Sequence, residues 1–380
     1  MASVSGPISQ IHRAARLDQC EVPIEDIAVS AYVIPTESAE SDGTLEWRQT
    51  TLVLVEAKAG DRHGLGYSYA HLSAATLIQD MLVDVVRGHD ALAVSDCWAA
   101  MVRAVRNLGR PGIASTAISA VDSALWDLKA SLLNLPLVTL LGPVRTGVPT
   151  YGSGGFTSYT VEELQRQLST WVQAGIPRVK MKIGRIPADD IRRVEAARAA
   201  IGRDAELFVD ANGAYARKQA IAFANAFADL GVTWFEEPVS SDDLEGLRLL
   251  RDRAPAPIDI AAGEYGYDAV YFRRMLEAGA VDVLQADATR CGMTGFLRAA
   301  ALCEASGVPL SAHCAPSVHV HPGCALSALR HIEYFHDHVR IEHMLFDGAA
   351  TPVRGLLHPD LSRPGIGLEF KRADAERYAV

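Results

Sequence analysis

From residue 148 onward the chain alternates between two patterns. Short apolar runs recur: VPTYGS (148–153), RVKMKI (178–183), ELFVDA (206–211), VTWFEE (232–237), PIDIAA (257–262), VDVLQA (281–286) and VPLSAH (308–313). Amphipathic segments separate them, among them VEELQRQLSTWVQAG, ADDIRRVEAARAAIG and ARKQAIAFANAFADLG. The runs are of buried-strand type, and apolar positions every three to four residues predict helices. Several helical segments finish on a glycine suited to closing a helix: Gly175, Gly202, Gly231, Gly279 and Gly307. Seven strand–helix units predict a parallel sheet, and so many favour a closed barrel over an open one. After residue 331 the pattern becomes less regular.

The first part of the chain is patterned differently. WRQTTLVLVEAKAG predicts a strand, preceded by IAVSAYVIP and by a polar stretch, TESAESDGT, suited to a mobile loop tip. Residues 72–90, 95–107 and 114–134 predict helices, the second capped by Ser95 or Asp96, the third buried on most sides. The organisation expected is an α+β unit over 1–145 and an α/β barrel over 146–345. A Pro- and Gly-containing segment, 346–380, is expected to pack back on the first unit.

Composition narrows the class. The chain has 380 residues, 49% hydrophobic and 22% charged, as in ordinary globular proteins. A net charge of −10 without any Lys/Arg block argues against nucleic acid and anionic membranes as partners. The six cysteines, Cys20, Cys97, Cys291, Cys303, Cys314 and Cys324, show no CxxC and read as reduced, mostly buried thiols. Residues 1–17 lack the apolar core of a signal peptide, and no segment predicts a membrane span, so the expected location is the cytoplasm.

The strand ends carry the chemistry. Asp210, Glu236 and Glu264 each follow an apolar run, at intervals of 26 and 28 residues. Parallel neighbouring strands would bring the three carboxylates to one point, where they repel unless a hard divalent cation, Mg²⁺-like, lies between them. Lys180 and Lys182, two apart in a strand, point to one face, and two close ammonium groups are expected to lower each other's pKa. Asp287 and His313 end strands one unit apart, and a carboxylate beside an imidazole fixes its tautomer and raises its pKa. Glu333 falls where an eighth strand would end and is a candidate hydrogen-bond partner for a substrate oxygen.

Blander readings exist for each residue. Asp210 opens DANG, a good turn, and Glu237 precedes Pro238, as surface turns often do. Three acids in register, with a lysine pair before and an Asp–His pair after, outweigh them. A second metal at the histidines (His319, His321, His331, His336, His338, His343) is disfavoured, because no Cys or acid completes a zinc spacing. The GSGG run after Tyr151 is expected to leave backbone room for substrate.

Together these motifs, with AISAVDSALWDLKASLLNLPLVTLLG, resemble the enolase superfamily and its mandelate racemase subgroup over nearly the whole chain. The resemblance implies an α/β fold, a modified TIM barrel (β/α)7β with an N-terminal α+β capping domain. It implies Mg²⁺ held by Asp210, Glu236 and Glu264, with Lys182 as one base and the Asp287–His313 dyad as the other. Lys180 would neutralise a substrate carboxylate oxygen, Glu333 would hydrogen-bond the other, and Asn212 and Tyr151 would lie against substrate. Other branches place a lysine where this chain has Asp287, and CGMTG carries Cys291 where relatives show glycine.

The activity implied is removal of the proton α to a carboxylate. The expected outcome is dehydration of an acid sugar (aldonate, aldarate or uronate) to a 2-keto-3-deoxy acid. Racemisation or epimerisation of a 2-hydroxy acid is the alternative, and a catalytically silent metal-binding member a third. The resemblance further implies a homo-oligomer. Substrate selection is expected from Thr36–Trp47 and Gly64–Tyr69, with Arg48 the arginine nearest them.

Overall fold

The computed structural model describes residues 22–380. Cys20 and the stretch 1–17 lie outside the described residues. The five described cysteines are free and buried.

Eight parallel strands form the barrel: β4 (Val148–Gly154), β5 (Arg178–Lys182), β6 (Glu206–Asp210), β7 (Val232–Glu236), β8 (Asp259–Ala262), β9 (Val283–Ala286), β10 (Leu310–Ala312) and β11 (Leu329–Phe335). Three cap strands precede them: β1 (Asp26–Ser41), β2 (Glu46–Ala59) and β3 (Arg62–Tyr69). The sheet closes where β11 pairs with β4, from Ile332 opposite Thr150 to Phe335 opposite Ser153. The eighth strand is thus regular, and Glu333 lies within it rather than at its end. The glycines expected to close helices do so, with φ between 61° at Gly279 and 87° at Gly175.

Register brings the strand ends together. Lys182 lies opposite Asp210, and Asp210 opposite Glu236. Beneath them Tyr151, Phe208, Trp234, Ala261 and Val283 fill the barrel interior as one buried layer. Such a filled interior is a floor, not a pore, and it fixes the height at which the polar side chains emerge.

The cap is an antiparallel sheet, β1–β2–β3, packed on helix Ile113–Leu132. Contact between β3 and this helix is backbone on backbone. A Cβ at Gly64 or Gly66 would come within 2.3 Å of Ala124 O or Ala120 O respectively. The helix also grips the barrel: Thr294 donates its backbone N–H to Asp122 Oδ2 (2.8 Å) and its hydroxyl to Oδ1 (2.7 Å). Cys291 is buried near that seam, its Cβ 2.9 Å from where a Cβ on Gly295 would stand, and is absent from the lining of the cleft described below.

Three local expectations change. Residues 72–86 are helical, but a π-turn at Ile78–Leu82 interrupts them. The next helix starts at Val94 with no side-chain cap, so Ser95 and Asp96 lie in its first turn and Asp96 instead pairs with His89 at 3.1 Å. Most of TESAESDGT is strand, because β1 runs on to Ser41. Its polar groups find partners there: Trp47 Nε1 donates to Glu40 (2.9 Å), and Asp42 Oδ1 accepts the N–H groups of Thr44 and Leu45 at 2.6 Å. The tip then presses onto the barrel mouth, where a Cβ on Gly43 would meet Ala211 O at 2.3 Å.

Residues beyond 345 touch cap and barrel. Ile366 donates its N–H to Asp127 of the cap helix at 2.5 Å, and Phe370 packs against Tyr32 with centroids 5.2 Å apart. Among the described residues no helix is long and apolar enough to cross a membrane. Because backbone atoms surround its missing side chain, Gly66→Ala should lower stability by about 1–3 kcal/mol in urea unfolding. An unchanged midpoint would mean that β3 is not held this close to the helix.

Candidate active site

The sequence places an acid at the end of three successive strands, and the fold makes them neighbours. Oxygens of Asp210, Glu236 and Glu264 lie within 4.8 Å of one another, all buried. Two lysines reach the same cluster. Lys182 Nζ donates to Asp210 Oδ2 at 2.5 Å. Lys180 Nζ lies 2.6 Å from Glu236 Oε1, 2.8 Å from Glu333 Oε1 and 3.5 Å from Asp210 Oδ2.

On the other side, His313 Nδ1 donates to Asp287 Oδ2 at 2.9 Å, since an ionised carboxylate can only accept. Asp287 is held in turn, its Oδ1 accepting the N–H and hydroxyl of Thr289, both at 2.7 Å. The imidazole is therefore oriented with Nε2 toward the acids, 3.2 Å from Glu264 Oε2. Lys182, Glu264, His313, Glu333 and Asn212 all line one cleft of about 540 Å³ beneath the cap tip.

Charge decides the protonation states. Burial raises the carboxyl of Glu236, and the charge of Asp210 adds to it, pushing it up to about 8. Glu237 is raised well above the carboxylate range by burial and then by Glu264. Burial opposes ionisation of Asp287 as well, yet the hydrogen bond and charge of His313 hold it at about 2. For His313 burial favours the neutral ring, but Cys314, Glu264, Glu333 and Asp287 together hold its pKa well above the ordinary value. The expected mutual lowering of the lysines is overturned. Burial does act in that direction, but Asp210 outweighs Lys180 as a neighbour of Lys182, and Glu236 and Glu333 surround Lys180, so both are raised.

Some predicted residues stand elsewhere. Tyr151 belongs to the floor: fully buried, absent from the cleft lining, with Lys180 Nζ 5.4 Å from its ring centre. Lys180 is equally buried and meets the cleft only through its acid partners. Gly152 and Gly154 make room for Trp171 and Gln167 of the following helix, not for substrate. Of GLGYSY only Tyr69 reaches the cleft, and Arg48 is 79% exposed outside it, 3.8 Å from Glu46. His319, His321 and His331 hold backbone or hydroxyl groups: Ala288 N–H, Val138 N–H and Ser311 Oγ.

Three site residues escaped the sequence reading. Glu237 is 1% exposed with φ 38°, not a surface turn. Arg290 lies 3.8 Å from Asp287 and 4.0 Å from Glu264, its guanidinium over the Tyr265 ring. Its spacing three after Asp287, at a helix start, was the available signal. Cys314 follows His313 and turns back toward it through a left-handed φ of 52°.

The residues fit a hard divalent cation. All candidate ligands are carboxylate oxygens, the chemistry Mg²⁺ prefers. Around them Asn212 Oδ1, Glu237 Oε1 and Glu264 Oε2 are buried acceptors that receive no hydrogen bond, Glu264 meeting His313 only as an ion pair. Orphaned acceptors, with no orphaned donor among them, mark a place where positive charge is wanted.

Residues 33–142 match the family model for the mandelate racemase/muconate lactonizing enzyme N-terminal domain, and 163–375 match the enolase C-terminal domain-like model. The chain belongs to the mandelate racemase/muconate lactonizing enzyme family. Among solved structures, a mandelate racemase/muconate lactonizing enzyme-like protein from Rubrobacter xylanophilus is 55% identical, with TM-score 0.92 over 94% of this chain and 100% of that one. The 3,6-anhydro-alpha-L-galactonate cycloisomerase of Streptomyces coelicolor is 31% identical over 92% of this chain and 98% of its own length. The L-talarate/galactarate dehydratase of Salmonella typhimurium is 32% identical over 82% of this chain and 81% of its own. Its structure liganded with Mg and L-lyxarohydroxamate superposes with TM-score 0.87, covering 100% of this chain and 96% of that one.

If the three acids hold the cation, Mg²⁺ at about a hundred times its dissociation constant should stabilise the protein by ~2.7 kcal/mol. Glu264→Gln should abolish that rise in thermal midpoint. A variant stabilised by Mg²⁺ as strongly as the parent would remove Glu264 from the ligand set.

Proposed function

We propose that this family member binds Mg²⁺ through Asp210, Glu236 and Glu264 and dehydrates an acid sugar to a 2-keto-3-deoxy acid. The observation that carries the reading is one cleft with a base on each side of the acid cluster, Lys182 against Asp210 and His313 against Glu264. Removing a proton α to a carboxylate builds a second negative charge on an anionic group. Asp210, Glu236 and Glu264 would hold Mg²⁺, which would supply the Lewis acid that stabilises that developing charge.

The chain's own groups do the rest. In its unprotonated form Lys182 Nζ is placed to take the α-proton on one face, and His313 Nε2 to exchange a proton on the other. Asp287 fixes the imidazole so that Nε2 is the nitrogen presented, and favours its charged form, which suits delivery of a proton to departing hydroxide. Lys180, locked beneath, fixes Glu236 and Glu333, so Glu333 presents its remaining oxygen to the cleft beside Cys314 N–H (3.0 Å).

Substrate choice follows from the far end of the cleft. Lys182 and Arg290 are the lysine and arginine among its described lining residues, and Arg290 is committed to Glu264 and Asp287. The cap contributes no lysine or arginine; beside Asp42 and His71 it offers Gln49, Thr50 and Thr51, whose amide and hydroxyl groups suit substrate hydroxyls. This favours a substrate with one carboxylate, an aldonate above an aldarate. Cycloisomerisation is a second reading, supported by the full-length similarity to the Streptomyces coelicolor enzyme. There the same proton abstraction would expel a ring oxygen instead of hydroxide. Assembly as a homo-oligomer belongs to the same family-based reading.

Proton NMR in D₂O with Mg²⁺, across aldonates, aldarates, uronates and simple 2-hydroxy acids, tests it. A 3-deoxy-2-keto product from an aldonate is expected, and turnover of diacids alone would overturn the one-carboxylate assignment. Exchange of the α-proton with every hydroxyl retained would make the protein a racemase or epimerase. Lys182→Ala and His313→Asn should each slow dehydration on the order of 10²–10⁴-fold. Full turnover in either variant would remove that residue from the mechanism.

A further inference from the structure

A second cluster of ligand-type side chains sits at the barrel mouth beside the three acids. Cys314 Sγ lies 3.3 Å from His313 Nε2 and 3.5 Å from Glu333 Oε2, and His313 Nε2 lies 3.7 Å from the same oxygen. All three side chains are nearly buried, yet each lines the cleft. The arrangement is not what a regular strand end gives, because consecutive side chains there point to opposite faces. The left-handed backbone of Cys314, φ 52°, carries its sulfur back onto the face of His313. Few residues other than glycine adopt that conformation readily, so the fold maintains it against a local preference.

The triangle has nearly the dimensions of one face of a tetrahedral coordination shell. Tetrahedral zinc, with Zn–S of about 2.3 Å and Zn–N or Zn–O of about 2.0–2.1 Å, sets ligand–ligand edges of roughly 3.3–3.6 Å. The two sulfur edges, 3.3 and 3.5 Å, fall in that range, and the nitrogen–oxygen edge, 3.7 Å, lies just beyond it, so closing the triangle on an ion needs a small inward movement of His313 or Glu333. The outer shell is also built. Asp287 accepts the Nδ1–H of His313 at 2.9 Å and is itself fixed by Thr289, the carboxylate–histidine relay that orients zinc-bound imidazoles. The donor set differs in kind from the neighbouring acids. One nitrogen, one sulfur and one oxygen suit a borderline or soft cation, whereas three carboxylates suit a hard one.

We propose that His313, Cys314 and Glu333 form a binding site for a thiophilic divalent cation, zinc above all, whose fourth position opens to the cleft. Binding exchanges the thiol proton, and any proton on His313 Nε2, for the cation. Both protons pass to solvent, and no electron is transferred. An oxidation switch is a poorer account of the same cysteine. Burial and the charge of Glu333 hold its thiol far above the ordinary range, so it stays protonated and weakly nucleophilic until a cation displaces the proton. The site exists whether or not the cleft dehydrates acid sugars. Its consequence rests on that reading: zinc would take the lone pair of His313 and an oxygen of Glu333, and so compete with substrate.

The test is made on the folded, full-length protein with Mg²⁺ in constant excess. Calorimetry reads zinc binding, and Co²⁺ serves as the optical probe through thiolate-to-cobalt charge transfer in the near ultraviolet. One zinc per chain and a charge-transfer band are expected for the parent. Loss of an outer-shell partner typically costs ~10–100-fold in metal affinity, so loss of the thiolate in Cys314→Ser should cost more than ~100-fold and erase the band. Asp210→Asn, which breaks the three-acid site, should keep both band and zinc affinity. If serine perturbs the fold by circular dichroism, Cys314→Ala replaces it with the same expectation. No zinc bound in Mg²⁺ excess, unchanged affinity without the thiol, or loss of zinc in Asp210→Asn would each overturn the site. Because none of these readouts requires turnover, failure of the dehydratase reading and failure of the zinc site are separable.

Discussion

Six carboxylates, Asp210, Glu236, Glu237, Glu264, Asp287 and Glu333, are buried around one point at the barrel mouth. Four cationic groups face them: Lys180, Lys182, Arg290 and, when protonated, His313. Two negative charges remain uncompensated, which is the charge of one divalent ion. A buried unpaired charge is costly, and a protein lacking the cation answers by binding protons instead. The two acids pushed upward are Glu236 and Glu237, the same number of charges. Everything else about the site depends on this balance. It favours the charged imidazole, and it leaves Lys182 tied to Asp210 until a cation shares that acid.

The fold keeps six like charges together by making retreat impossible. Each sits within two residues of a barrel strand's end, and the parallel register that aligns Lys182, Asp210 and Glu236 cannot slip without turning every barrel side chain inside out. Below, aromatic rings fill the interior, and Trp234 Nε1 donates to Glu236 Oε2 at 2.9 Å, so the floor also orients an acid. Above, the cap tip at Gly43 rests on Ala211 O, directly after Asp210. The helix Ile113–Leu132 ties cap to barrel through Asp122 and Thr294, far from the reacting atoms. Side chains positioned by strands and covered by a docked cap lose little freedom when a ligand arrives, which is the preorganisation that acid chemistry in a low dielectric requires.

The barrel, the three acids, the lysine pair and the Asp–His pair were legible because each depends on a period the chain displays. Strand-end residues one βα unit apart become neighbours by construction. What was not legible depends on depth rather than order. Tyr151 and Lys180 occupy strands beside reactive residues, but side chains one layer lower belong to the floor, and sequence spacing does not report layers. The pKa of the lysines was misjudged for a related reason: the pattern VKMKI shows the two ammonium groups to each other and hides the carboxylates from other strands that surround them. TESAESDGT read as loop because the partners that hold it as strand lie outside the stretch: Trp47 for Glu40 and Thr157 for Ser41. Cys314 was invisible because its direction is set by one left-handed φ.

The division of labour between cap and barrel explains how one family supports several outcomes. Proton abstraction needs only the barrel groups, and these are charged, buried and locked by mutual pairing. What happens next depends on which bond β to the carboxylate lies near His313, and that is a matter of substrate orientation. Orientation is set by the cap, whose contribution here holds no lysine or arginine: Gln49, Thr50 and Thr51 line the cleft beside Asp42 and His71, with Trp47 packed edge-on to Phe156 at 5.6 Å. Neutral hydroxyl and amide groups hold a polyol chain by direction, whereas a cation would hold a second carboxylate by charge. A cap arginine would also add to a field that the barrel already balances to within one divalent ion. Keeping lysine and arginine out of the cap's share of the cleft therefore leaves undisturbed the charge balance on which the chemistry rests.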